Sequence, residues 1–301
     1  MTRSIFTAIG ILLLLGMTGC DIYEQDTYQE LVVLESYAVA GRPLPDVRLS
    51  TTSPVNEVYT FEDVALNDAT VLVTRLSENG DVVDEFPYQL DSSGIYKAVD
   101  QTTLIEAGAR YKIDVQFDSR SDQLVAETVI PQQFEILSEV EDSYVYQSEE
   151  QLEILLTATE SNAAQNVYVF NTLTLEPDPE NLTPFYSDAV DGDDTEIEDF
   201  LNNSSGLINE GNFEINDDQT ILLRFPWIGV AFFGENAVVT NSVDGNLADL
   251  VRSEELQLGG STLPPGEIPN LIYNVEGGIG VFGSIATDTI ITRFTRPELP
   301  N

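Results

Sequence analysis

The chain has 301 residues, of which 42% are hydrophobic, enough for about two packed domains. Its 12 Lys and Arg residues stand against 52 Asp and Glu residues, a formal net charge of −40 at pH 7. This balance excludes a nucleic-acid partner, because phosphate binding needs clustered basic side chains. The sequence has no histidine and one cysteine, which excludes histidine-based zinc sites, Ser-His-Asp triads and an intrachain disulfide. We therefore expect a protein that is not an enzyme and holds no cofactor, with Ca²⁺ as the one ion to consider.

Residues 1–19 are typical of a secretory signal peptide. Arg3 provides the positive start, and the apolar segment from Ile5 to Leu15 follows it. This segment is too short to span a bilayer, which takes about 18 apolar residues or more. The next residues, Gly16–Cys20, resemble a bacterial lipobox, in which small residues precede the cysteine that is acylated. The sequence therefore predicts lipidation at Cys20 and anchoring to the lipid bilayer through that residue.

An acidic tether, residues 20–29, is expected to follow the signal peptide. Its spaced acidic residues resemble an export signal toward the outer face of the outer membrane, and an ordinary hydrated linker explains them equally well. We expect a lipid-anchored protein of the outer membrane, on either its periplasmic or its cell-surface face.

Residues 30–131 alternate between apolar and polar side chains, as half-buried strands do. Seven strands are predicted: Leu31–Ala38, Pro45–Ser50, Thr70–Leu76, Val82–Leu90, Ile95–Val99, Arg110–Phe117 and Gln123–Ile130. Seven short strands in about 100 residues is the size of an immunoglobulin-like or fibronectin-like sandwich. The fold class is therefore predicted to be all-β, beginning with such a sandwich.

The segment Ile105–Val115 is similar to the tyrosine corner of fibronectin-type sandwiches, with Gly108 three residues before Tyr111. In that motif the tyrosine hydroxyl forms a hydrogen bond with the backbone a few residues upstream. An ordinary loop that leads into a strand is the alternative interpretation.

Residues 132–301 are predicted to form a second β-rich domain with one or two short helices. Its predicted elements are strands at Gln151–Ala158, Asn166–Leu175, Thr220–Phe225, Ala237–Thr240 and Gly277–Phe294, and a helix at Asn246–Glu254. A long polar stretch, Glu176–Gln219, separates two of these strands. We expect it to be a functional loop or a mobile insertion, because connections of this length are uncommon in compact domains.

Six carboxylates lie within the nine residues from Asp191 to Asp199. Oxygen-rich loops suit Ca²⁺, which makes Asp191, Asp193 and Asp194 candidate metal ligands, although their spacing does not fit an EF-hand. A solvated acidic loop is the alternative in so acidic a chain.

The run Phe225–Phe233 contains the only tryptophan of the sequence. Exposed aromatic patches contact partners, which makes Trp227, Phe232 and Phe233 candidate residues for contact with a partner or ligand. Packing in the core is the other interpretation, because it is the commoner position of such residues.

The C-terminal segment Asn270–Gly283 resembles the closing signature of a family of Bacteroidota-type lipoproteins, the domain of unknown function 4249, which ends in Gly-Gly-Ile-Gly-Val-Phe-Gly in this sequence. Segments upstream match the family's pattern in the same order: Glu30–Glu35, Ala69–Val73, Ser93–Tyr96 and Ala126–Pro131. The similarity extends from about Cys20 to Phe294. The segment Leu256–Ser261 departs from the pattern by replacing an aromatic-proline stretch. The glycines of the signature fit either a structural bulge or a binding loop.

The resemblance implies an outer-membrane lipoprotein, and members of the family are often found beside TonB-dependent receptors, with no catalytic residues assigned. We therefore expect a non-catalytic accessory of a TonB-dependent uptake receptor, which captures substrate or gates access. The alternative is a cell-surface adhesion or structural module with an immunoglobulin-like domain.

Overall fold

The computed structural model describes residues 28–138, 140–157, 166–192, 195–218, 220–259 and 270–297. It is built mostly of strands, which confirms the all-β fold class predicted from the alternating sequence pattern. Fourteen strands form one continuous sheet, which folds over on itself, and three short strands form a second sheet. No helix in the described part of the chain is both long and apolar enough to cross a membrane.

The elements before residue 131 match the predicted strands within two residues at each end. They are β1 Val32–Val39, β2 Val47–Thr51, α1 Phe61–Val64, β3 Ala69–Leu76, β4 Val82–Ser92, β5 Ile95–Ala98, β6 Arg110–Phe117 and β7 Gln123–Val129. Along β6, buried side chains alternate with exposed or partly exposed ones. This alternation produces the two-residue period of apolar residues in the sequence.

Strand β4 turns this half of the chain into a sandwich. Its first residues pair with β3 and its last residues pair with β5, so it belongs to both faces of the fold. Side chains from the two faces, such as Leu49 on β2 and Ile113 on β6, are fully buried in one shared core. The immunoglobulin-like sandwich predicted for residues 30–131 is therefore present.

The tyrosine corner is also present. The backbone N–H of Glu106 donates a hydrogen bond to the Tyr111 hydroxyl at 3.1 Å, and the Tyr111 ring is buried. Gly108 occupies the turn between them with φ +75°, a conformation that favours glycine. The loop before β6 is thus tied to the core, as the motif predicts.

The elements after residue 131 are mostly strands, with two helices. They are β8 Ser143–Val145, β9 Glu153–Leu156, β10 Val167–Thr174, α2 Pro184–Gly192, β11 Asn202–Ser204, β12 Ile208–Asn209, β13 Glu214–Ile215, β14 Ile221–Arg224, β15 Gly234–Val243, α3 Gly245–Gly259, β16 Val275–Glu276 and β17 Ile279–Thr295. The predicted helix at Asn246–Glu254 lies inside α3.

The polar stretch Glu176–Gln219, expected to be a functional loop or a mobile insertion, contains regular structure. Its described residues form α2, three short strands and several 3-10 turns. Leu182 and Tyr186 bury their side chains against Phe232 in a small core of their own. The scattered apolar residues of this stretch therefore have a packing role that its high polarity concealed.

Strand β17 joins the two halves of the fold. Its first residues pair in parallel with β1, from Val33 opposite Ile279 to Val39 opposite Ile285. Its later residues pair with β15 and, in parallel, with β8. The chain thus continues along β17 beyond the end of β1, by about 30 Å at the usual rise of a strand. The second half of the fold lies in that direction.

Candidate functional site

Most of the aromatic run Phe225–Phe233 is packed inside the protein. Phe232 and Phe233 are only 1% and 6% exposed, so the expectation that these two side chains meet a partner is corrected. Trp227 is partly buried, with its ring centroid 5.6 Å from that of Tyr146. The run crosses from β14 to β15 over the core, which explains why its large rings turn inward.

Two other apolar side chains of this region are exposed instead. Ile228 is 59% exposed, and Phe185, in the first turn of α2, is 56% exposed. The Phe185 ring stands 5.0 Å from the Tyr186 ring, and the Tyr186 hydroxyl donates to the Ile228 carbonyl at 2.6 Å. We call these two residues the Phe185–Ile228 surface.

Hydrogen bonds hold this surface in place. The Asn203 side-chain amide donates to the Tyr186 hydroxyl at 2.6 Å and to the Gly229 carbonyl at 3.1 Å. Burial raises the pKa of the Tyr186 hydroxyl, so it remains a protonated donor at neutral pH. Two exposed apolar side chains on a hydrogen-bonded support are suited to bind a partner, because little backbone freedom is lost on contact.

The sequence offered a partial signal for this surface. Thr183-Pro184 is a typical helix start, since proline is favoured at the first helical position. That pattern would have placed α2 and its first-turn Phe185. No sequence pattern shows that Ile228 faces solvent while Phe232 does not, because this depends on the packing of segments that are distant in the chain.

The candidate calcium ligands remain a prediction. Asp191 lies in the last turn of α2, and Asp193 and Asp194 lie outside the described residues. Within the ranges that the structure describes, no group of three or more metal-ligating side chains comes together.

Cys20 also lies outside the described residues, and its lipidation stays a prediction. The described chain begins at Tyr28.

The glycine signature is part of the sheet. A side chain at Gly280, where φ is +115°, would place its Cβ 2.0 Å from the Leu34 carbonyl oxygen, and one at Gly277 would lie 2.0 Å from that of Gln123. The strand pairing of β1 with β17 and the approach of β7 therefore require glycine at these positions. This supports the structural interpretation of the signature over a binding loop.

A buried polar cluster, which the sequence analysis did not identify, lies where β7, α3 and β17 meet. Thr128 Oγ1 lies 2.6 Å from Asp244 Oδ2 and 2.7 Å from Ser284 Oγ. Asp244 also caps α3, because its Oδ1 accepts a hydrogen bond from the Leu247 N–H at 3.0 Å. Burial is the main cause that raises the Asp244 pKa, and its hydrogen bonds oppose this effect. An aspartate just before a helix is a capping signal that sequence inspection could have used.

A cleft of about 580 Å³ beside β8 and β9 has an acidic lining that includes Glu141, Glu149, Glu150 and Glu153. Ser138 Oγ in this cleft accepts a hydrogen bond from the Leu155 N–H at 2.6 Å, so this hydroxyl already has a structural partner. We assign the cleft no chemical role.

The family model described as domain of unknown function (DUF4249) matches residues 20–291. The match covers most of the sequence, and the chain therefore belongs to this family. No curated protein matches the chain.

Several solved structures match at low similarity. Three N-terminal domains of the bacteriophage RB49 Highly Immunogenic Outer Capsid protein are 11% identical, with a TM-score of 0.23, over 89% of this chain and 71% of that chain. A tetra-tandem repeat in the extending region of a large adhesion protein is 13% identical, with a TM-score of 0.21, over 88% of this chain and 49% of that one. Alpha-2-macroglobulin from Escherichia coli is 10% identical, with a TM-score of 0.20, over 72% of this chain and 14% of that one. At these scores the similarities carry no argument about function.

Proposed function

We propose that this member of the DUF4249 family is a lipoprotein anchored through Cys20 in the outer membrane, where it acts as a non-catalytic accessory of a TonB-dependent uptake receptor. It would capture substrate for the receptor or gate access to it. The lipobox-like segment and the family's usual association with such receptors support the anchor and the partner.

The Phe185–Ile228 surface is the observation that carries the proposal. Both side chains are more than half exposed, and exposed apolar surface marks candidate contact sites for a partner. The surface lies in the second half of the fold, beyond the end of β1, whereas the tether enters at the start of β1. This half is therefore free to meet a receptor while the other half stays near the lipid.

The test is co-purification with the receptor from membranes dissolved in detergent. Phe185→Ala combined with Ile228→Ala should lower the amount of receptor recovered, because the exposed contact is removed and the core is untouched. Val82→Ala combined with Val83→Ala is the matched control, since these valines are about equally exposed in the sandwich and should leave recovery unchanged. Phe232→Ala is unsuitable, because it would open a cavity in the core.

Two results would contradict the proposal. One is equal recovery of receptor by the Phe185/Ile228 variant and the unaltered protein, which would remove this surface from the interaction. The other is the absence of any co-purifying receptor across a range of salt concentrations, which would favour the adhesion or structural module with an immunoglobulin-like domain.

A further inference from the structure

The loop from Thr52 to Thr60, between β2 and α1, exposes apolar side chains to an unusual extent. Val55 is 106% exposed, Val58 is 91% exposed and Tyr59 is 54% exposed. A single exposed apolar residue needs no explanation, whereas several together mark a contact with a partner or a membrane. We call this segment the 52–60 loop.

This loop is bonded to the point at which the described chain begins. The Tyr28 hydroxyl donates a hydrogen bond to the Thr52 carbonyl. The Thr52 N–H donates to the Leu31 carbonyl at 2.9 Å, and the Leu31 N–H donates to Thr52 Oγ1 at 3.1 Å. Tyr28 and Leu31 are themselves exposed, so they extend the apolar face of the loop.

The length of the tether decides what this face can meet. Eight peptide steps separate Cys20 from Tyr28, and at about 3.5 Å per residue they reach about 28 Å at most. If Cys20 is acylated, as proposed above, the Tyr28 end of the sandwich is held within that distance of the lipid. The 52–60 loop is then among the parts of the protein nearest to the membrane.

We infer that the 52–60 loop inserts Val55, Val58 and Tyr59 into the headgroup region of the bilayer that holds the anchor. Transfer of valine side chains out of water is favourable. Tyrosine suits the interface because its ring is apolar and its hydroxyl is polar. The carboxylate of Glu57 lies between the two valines in the sequence, which limits the loop to shallow insertion and to a surface without excess negative charge. The inference rests on the proposed lipidation of Cys20.

The full-length lipidated protein offers a direct test, because Cys20 is its only cysteine and acylation occupies that thiol. The variant Val58→Cys therefore carries a single reactive thiol, to be labelled with a fluorophore that responds to apolar surroundings. On phosphatidylcholine vesicles, its emission should shift to the blue and be quenched by quenchers attached to the lipid headgroups.

The matched control is Val83→Cys. Val83 follows the β3–β4 turn, where Leu76 pairs with Val82. The tether joins the sandwich at its other end, where Arg120 forms an ion pair with Glu30. Val83 therefore lies at the end of the sandwich that is farther from the tether. A label at position 83 should show neither the shift nor the quenching.

The outcomes separate the inference from the proposed function. Protein that sediments with the vesicles, with no quenching at position 58, would overturn the inference and leave the lipid anchor intact. Protein that fails to sediment, or an unaltered protein in which Cys20 takes up the label, would contradict the lipoprotein proposal and the membrane-inserted loop with it. Quenching at position 58 and none at position 83 supports both.

Discussion

At the scale of single residues, Gly280 is one of two described glycines, with Gly277, at which an added Cβ would lie 2.0 Å from a backbone carbonyl oxygen. Gly280→Ala should lower the free energy of unfolding by more than about 3 kcal/mol, because the strained backbone alone costs about 1–3 kcal/mol and the Leu34 carbonyl must also move. Urea denaturation measures the loss.

Two further variants separate the causes of that loss. Gly80 has φ +85° and open space around its Cβ position, so Gly80→Ala should cost only the backbone strain, about 1–2 kcal/mol. Gly245 has open space and no positive φ, so Gly245→Ala should be close to neutral. If Gly280→Ala costs no more than Gly80→Ala, the close approach of β1 and β17 does not limit this position.

Asp244 is a buried titratable residue whose protonation is coupled to folding. Its pKa in the folded protein is raised by burial, so the folded state holds its proton more tightly than the unfolded state does. Its contribution to stability is therefore complete below its ordinary pKa of about 3.9 and is lost as the pH rises through the raised value.

The variant Asp244→Asn should remove this pH dependence. Asparagine keeps an oxygen to cap α3 and an amide to bond Thr128, and it does not titrate. As the pH rises above about 4, the unaltered protein should lose stability relative to the variant. The measurement is urea denaturation of both proteins across the pH range, and a constant difference would show that the Asp244 pKa is not raised.

At the scale of elements, the tyrosine corner fixes the loop before β6. In Tyr111→Phe, the ring still fills the core and the Glu106 N–H loses its acceptor, so the free energy of unfolding should fall by about 1–3 kcal/mol. Tyr88 provides the comparison: its hydroxyl donates to the Pro45 carbonyl at 2.8 Å, which bonds β4 to the segment before β2 and forms no corner. Protease cleavage within residues 99–109 should increase in Tyr111→Phe and stay unchanged in Tyr88→Phe. Equal cleavage in both would show that the corner does not hold the loop.

The elements that the sequence predicted well share one property, which is a buried face opposite a partly exposed one. Strand β6 was predicted with its correct bounds because this arrangement produces a strict alternation. Helix α2 was missed because it lies in a polar stretch and its Tyr186 packs onto Phe232, which lies far along the chain. The parallel pairing of β1 with β17 was not predicted either, because partners about 245 residues apart leave no local pattern.

At the scale of the whole molecule, the sequence indicated the region of the candidate surface, but it did not indicate which residues are exposed there. The second half of the chain was expected to meet a partner through its aromatic run, and the structure exposes Ile228 of that run together with Phe185 on α2. Which rings face inward depends on the total packing of the fold. A run of apolar residues predicts that most of them are buried, and it does not indicate which of them stays exposed.

The anchor proposed at Cys20 would give this arrangement its direction. With a net charge of −40, the protein has no electrostatic attraction to an anionic lipid surface. In the proposed arrangement, acyl chains supply the binding, at about 0.8 kcal/mol for each buried methylene group, and more than one chain is needed for stable attachment. Salt should consequently fail to release the protein from membranes.

Cys20→Ala should abolish the proposed attachment of acyl chains. Without the thiol there is no acceptor for the acyl chains, so the precursor should keep residues 1–19 and incorporate no labelled fatty acid, as mass spectrometry and acyl labelling would measure. Thr18→Ala is the matched control, because alanine is also small and should leave the lipobox-like segment functional. If Cys20→Ala still incorporates the label and matures normally, lipidation occurs at another residue. The tether argument for the 52–60 loop would then lose its premise.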